Sequence, residues 1–139
     1  MPSAATTYYG RQKLIPVLSN GREPLRTSVQ LVPSVSLAQG TVLGELTATP
    51  GTFKAYATGN TDGSQVAKCI LEYTCSTDAS GNITINGDFG ATFPSVSAFL
   101  GNQGAEYNTA DLVGLDAGAL TALGGSISQG VITAGKVVI

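Results

Sequence analysis

The stretch from Leu37 to Leu71, LAQGTVLGELTATPGTFKAYATGNTDGSQVAKCIL, carries two strong turn signatures that restrict it to short strands. Thr49-Pro50-Gly51-Thr52 presets φ near −65° at Pro50 and offers φ > 0 at Gly51, as a type II turn requires. It joins a strand around Thr41 to Leu46 with another around Phe53 to Ala57. Asn60-Thr61-Asp62-Gly63 supplies the second turn and delivers the chain into Gln65 to Cys75, the longest strand-like run in the sequence.

Alternation within Gln65 to Cys75 puts Ala67, Cys69, Leu71, Tyr73 and Cys75 on one face, which is expected to be buried. Val66, Lys68, Ile70, Glu72 and Thr74 fall on the other, so Lys68 and Glu72 are expected to face solvent or a neighbouring subunit. The two cysteines then share a face of one strand at roughly 20 Å separation, well beyond disulfide reach. Buried free thiols are expected, and C-x5-C without imidazole makes a poor zinc site.

A chain of 139 residues supports one domain with a modest core. Its charged fraction of 12% is about half that of ordinary soluble domains, so Gly, Ser and Thr must cover much of the surface. Such a surface repels other copies weakly and suits subunit contact. Histidine is absent, which removes the usual general base, the usual metal ligand and any Ser-His or Cys-His nucleophile. MPSAATTYYGRQK has no apolar core of a signal peptide, and no apolar run reaches the roughly 18 residues of a membrane span. A soluble protein made in a reducing compartment is expected.

Residues 1–34 read as an extended N-terminal arm and residues 35–139 as the β-rich body. Pro16, Pro24 and Pro33 interrupt the arm, which cannot close a core alone. Arg11, Lys13, Arg22 and Arg26 against Glu23 give it a charge of +3, whereas three lysines against eight acids leave the body at −5. Tyr8-Tyr9, Leu14-Ile15, Val17-Leu18 and the strand-like Thr27 to Val32 distinguish the arm from a disordered leader. It is expected to order on a partner by adding strands to a sheet edge.

Downstream, Asp78-Ala79-Ser80-Gly81-Asn82 is a turn with Asx chemistry that opens the short strand Asn82 to Ile85. Asp78, Asn82, Asn86 and Asp88 do not have EF-hand spacing, and the bidentate Glu is missing. Phe89, Phe93 and Phe99 read as core residues; a base-stacking platform would need a positive groove, which an acidic body does not offer. Asn108-Thr109-Ala110-Asp111 is a helix start, followed by Leu112, Leu115, Ala119 and Leu123 at helical spacing. Gly114 and Gly118 each weaken that helix by about 1 kcal/mol, so it needs tertiary support or breaks in two. The glycines fit neither a dinucleotide fingerprint nor a P-loop. The tail from Gly130 to Ile139 is β-rich and must be paired or covered. The fold class is therefore mainly β with one or two short helices.

The order of elements resembles the head decoration proteins of tailed bacteriophages, the lambda-type protein D family. The resemblance rests on Lys54-x-Tyr56, a small polar loop, Thr61-Asp62-Gly63, then Val66 and Ile70-Leu71, with Gly87-Asp88-Phe89 downstream. It covers about Leu37 to Phe89, and the chain departs from the lambda protein in the Ala/Gly/Leu-rich region from Gly101 to Gly125. The resemblance implies a small β-barrel-like or β-tulip-like body without enzymatic activity or cofactors. It also implies homotrimers on the outer surface of the expanded capsid, with the N-terminal segment ordering against the major capsid protein.

On that basis the expected function is capsid decoration and stabilisation in the virion, after synthesis in the host cytoplasm, with no nucleic acid or membrane partner. The residues expected to bind the capsid are Tyr8, Tyr9, Arg11, Lys13, Leu14, Ile15, Val17, Leu18, Arg22 and Arg26. A rival reading is a phage fibre or surface-adhesion binding module on the same kind of body. A carboxylate enzyme using Asp62 or Asp88 with Glu72 is the third, and it is weakened because aspartates beside Gly in turns bond their own backbone.

Overall fold

The computed structural model describes residues 17–18, 25–86, 90–101, 105–108, 111–123, 126–128 and 131–134. In chain order the strands are β1 Val17–Leu18, β2 Arg26–Leu31, β3 Ser36–Leu37, β4 Val42–Glu45, β5 Thr52–Ala55, β6 Ala67–Leu71, β7 Cys75–Thr77, β8 Ile83–Ile85, β9 Val96–Leu100 and β10 Ala105–Asn108. Helix α1, Ala117–Ala122, precedes β11 Ser126–Ser128 and β12 Val131–Ala134.

Five strands close into a barrel in the order β9-β2-β5-β4-β6, with β6 returning to β9. All its pairings are antiparallel except β2 with β5, where Gln30 faces Thr52 and Leu31 faces Phe53. Closure leaves the barrel without a bare edge. Strands β3, β7 and β8 form a small antiparallel sheet, and β11, β12, β10 and β1 form a four-stranded one.

Both turns of the central stretch form. Thr52 N donates to Thr49 O at 3.0 Å, and Gly51 takes φ +94°, a conformation that suits glycine. The Glu45 carboxylate accepts the Gly51 amide at 2.7 Å, so the end of β4 itself secures the turn into β5. At the second turn the Asp62 carboxylate accepts the Ser64 amide at 3.1 Å, the local Asx bond expected of it.

Two apolar clusters share the barrel strands. Val29, Leu31, Leu43, Phe53, Cys69, Leu71, Val96 and Ala98 belong to one; Val42, Ile70 and Phe99 belong to the other, together with Tyr56, Ala119 and Leu123. Neighbours such as Val42 and Leu43, or Ile70 and Leu71, point to opposite sides of the wall. The first cluster is thus the barrel interior, and the second is a stretch of outer wall covered by α1 and the leucines around it, Leu112, Leu115 and Leu120.

This arrangement corrects two sequence expectations. The run Gln65 to Cys75 is not one strand: β6 ends at Leu71 and β7 begins at Cys75 in a different sheet. Its second face is not solvent-facing throughout, because helix cover buries Ile70 completely and Glu72 is buried to 8% exposure. Lys68 alone of that charged pair is exposed, and it bonds Glu45 rather than Glu72.

The helix also starts later than expected. Val113 makes a parallel bridge with Thr41, and its amide donates to Gly40 O at 2.9 Å, so this segment is tied to the barrel as extended chain. Gly114 takes φ +87°, which an α-helix cannot contain. Helix α1 begins only after Asp116, whose carboxylate accepts the Ala119 amide as an N-cap.

Strand β2 contains Arg26 to Leu31, so this part of the stretch read as arm is built into the barrel wall. Both cysteines are buried free thiols, as expected. Phe99 is fully buried, whereas Phe93 is half-buried and bridges Ile83. Gly87-Asp88-Phe89 and the last residues, Gly135 to Ile139, lie outside the described residues.

Candidate functional site

Several charged side chains among the described residues form ion pairs or bond turn amides. Asp62 accepts Lys54 Nζ at 2.8 Å as well as the Ser64 groups; these bonds, the lysine first, hold its carboxyl well below the usual range. Glu45 bridges the Gly51 amide and Lys68 Nζ, at 3.0 Å, and is lowered mainly by the amide. Asp78 accepts the Ser80 and Asn82 amides, each at 2.9 Å, and the Asn82 amide does most to lower its carboxyl. These are surface pairs that fix turns, each of modest energetic weight.

Glu72 is different, because it is buried just beyond the end of β6. Its Oε1 accepts Arg26 Nε at 3.0 Å and the Ser97 hydroxyl at 2.6 Å. The Arg26 guanidinium lies 5.0 Å over the Phe99 ring, which adds a cation–π contact. An acid at the end of the apolar run Cys69-Ile70-Leu71 was the available signal for this cluster. Strand alternation alone missed it, because the partners come from β2 and β9, distant in sequence.

Of the residues expected to bind the capsid, Tyr8, Tyr9, Arg11, Lys13, Leu14, Ile15 and Arg22 lie outside the described residues. Val17 and Leu18 form β1, paired antiparallel with Glu106 and Ala105 of β10. Arg26 opens β2 and is held within the body by Glu72. Val17, Leu18 and Arg26 are thus the three of these ten among the described residues.

Apolar surface collects near the point where β2 begins. Leu25 is 55% exposed, Val66 46% and Leu100 37%, and Leu100 N donates to Leu25 O at 3.1 Å. Val66 and Leu100 border a groove of about 430 Å³ whose floor includes Ala67, Cys69, Gly101 and Leu123. A second groove of about 420 Å³ runs along β3, β7 and β8, past Leu37, Cys75 and Ile85. Glu45 and Lys68 also line the first groove, paired with each other at 3.0 Å, and burial pushes the Cys69 thiol beside them up to about 12. Among the described residues no group of three or more Cys, Asp or Glu could hold a metal ion, and no helix is long and apolar enough to cross a membrane.

The described residues thus form a closed barrel with apolar surface where β2 begins. A sequence model of the family described as bacteriophage lambda head decoration protein D matches residues 16–87, just over half of the chain, and the chain belongs to that family. Membership places it among structural proteins associated with the phage capsid. No curated protein and no solved structure matches it.

Proposed function

We propose that this chain decorates the outer surface of the expanded phage head as homotrimers and stabilises it. The segment ahead of the barrel makes the main contacts with the major capsid protein. The observation that carries this reading is the family match, which starts at residue 16 within that segment and spans four of the five barrel strands, ending at residue 87. The charge scarcity and the apolar residues at the root of the segment support association with neighbours. Many identical trimers, each contributing several weak contacts, bind with high effective concentration and reinforce a shell without catalysis.

Because β2 is part of the barrel, the docking segment in this reading is the chain before Leu25, with Arg26 at its root. Purified protein mixed with expanded heads of its own phage should co-sediment to a saturating ratio and raise the temperature at which the heads disrupt. Absence of co-sedimentation would overturn the reading.

A further inference from the structure

We propose that the Glu72 carboxylate is a latch that fastens the root of the N-terminal segment to the barrel wall across strand β9, so that the segment leaves the wall at Leu25 and β2 does not peel from that end. Strand β9 lies between β2 and β6 and pairs antiparallel with both. Glu72 follows β6 directly, reaches Ser97 on β9 and continues to Arg26 on β2. A single carboxylate therefore bridges three neighbouring segments of the wall.

The surroundings fix this carboxylate rather than merely tolerate it. The Glu72 amide donates to Ser97 O at 3.1 Å, and Gln39 Nε2 donates to the Glu72 carbonyl at 2.9 Å, so its backbone is held on both sides. Arg26 faces Phe99 in the β2–β9 register and stacks over that ring, which limits where the guanidinium can go. The pair is part-buried, with the Arg26 side chain 39% and the Glu72 side chain 11% exposed, so its weight lies in fixing position more than in net stability. Arg26 is the first residue of β2, so this pair acts at the position where an outward pull on the segment would first open the wall.

The readout is local hydrogen exchange in the full chain, with Glu72→Gln, Arg26→Met and the double variant; no phage heads are required, so the result is independent of the proposed capsid role. The Leu100 amide, bonded to Leu25 O, reports the root. The Gln30 and Val32 amides, bonded to Gly51 O and Phe53 O, report the far end of β2. Each single variant should speed exchange at Leu100 by about tenfold or more, the double variant should add little, and Gln30 and Val32 should keep their protection. Unchanged exchange at Leu100, equal acceleration at all three amides, or failure of both single variants to fold would each overturn the latch. Arg26→Met keeps an apolar stem over Phe99, and so remains informative if Glu72→Gln does not fold.

Discussion

The Tyr56 hydroxyl donates to Asp116 Oδ1 at 2.7 Å, and the same oxygen accepts the Ala119 amide at 2.8 Å. One carboxylate therefore caps α1 and ties the helix to the residue that follows β5. Asp116 is held below the usual carboxylate range, first by the Ala119 amide and then by the tyrosine. The Tyr56 hydroxyl is pushed up, first by its bond to Asp116 and then by burial.

Tyr56→Phe should lower stability by about 1–2 kcal/mol, a melting shift of roughly 3–8 °C, since it deletes a hydrogen bond to a charged group while keeping the ring in the core. Asp116→Ala should lower the melting temperature further, because it removes the helix cap as well. Thermal melts at neutral pH check the order; a tyrosine variant as stable as the parent would remove the hydroxyl's role.

The pH response follows from the same group and from the paired surface acids. Asp62, Asp78 and Asp116 lie below their ordinary 3.8, and Glu45 below 4.5. Their contributions are complete above those ordinary values and fade as pH falls through the lower folded ones. Tyr56 runs the other way: its contribution is complete below 10.0 and fades as pH rises through a higher folded value. Melting temperature measured from pH 2 to 11 should therefore hold a plateau between about pH 5 and 9 and drop on the acid side. A maximum below pH 4 would contradict this.

Two glycines should respond differently to the same substitution. A Cβ on Gly118 would lie 2.7 Å from the Tyr56 hydroxyl, so the gain of about 1 kcal/mol in helix propensity is offset by displacing that hydroxyl from Asp116. Gly118→Ala should give no net gain alone and should stabilise in the Tyr56→Phe background. A Cβ on Gly44 would meet the Ser64 backbone at 2.5 to 2.8 Å, and backbone cannot step aside. Gly44→Ala should lose about 2–3 kcal/mol, read from urea midpoints.

Burial pushes the thiols of Cys69 and Cys75 up to about 12 and about 11 respectively. Neither forms thiolate at pH 8, and both sit in the core. A thiol reagent at that pH should label neither residue in the folded protein and both in denaturant. Rapid labelling without denaturant would show that the core opens locally.

Deleting residues 1–24 should leave a folded barrel and weaken binding to expanded heads by about tenfold or more, equivalent to about 1.4 kcal/mol. The cut stops before Leu25 because its carbonyl accepts the Leu100 amide and Arg26 holds Glu72. Undiminished binding by the shortened chain would refute the role given to the segment.

The sequence by itself determined the local features. Pro50-Gly51 and Asp62-Gly63 dictate turns, Asp78 organises the loop before β8, and alternation marks the strands, because these depend on φ preferences and on bonds between residues a few positions apart. Gly114 and Gly118 marked the helix as weak, and the order of turns and strands was enough for the family. Only the tertiary structure decided which faces are buried. Ile70 is covered because α1 lies on the outer wall, Glu72 because Arg26 and Ser97 reach it from distant strands, and Val113 is extended because Thr41 pairs with it. Barrel closure and the parallel meeting of β2 with β5 belong with these. Period-two patterning says that neighbours point opposite ways; what lies on each side is set by contacts far apart in the chain. The central stretch therefore announced its own shape, while the place of Arg26 to Leu31 in the wall became visible only when the barrel closed around it.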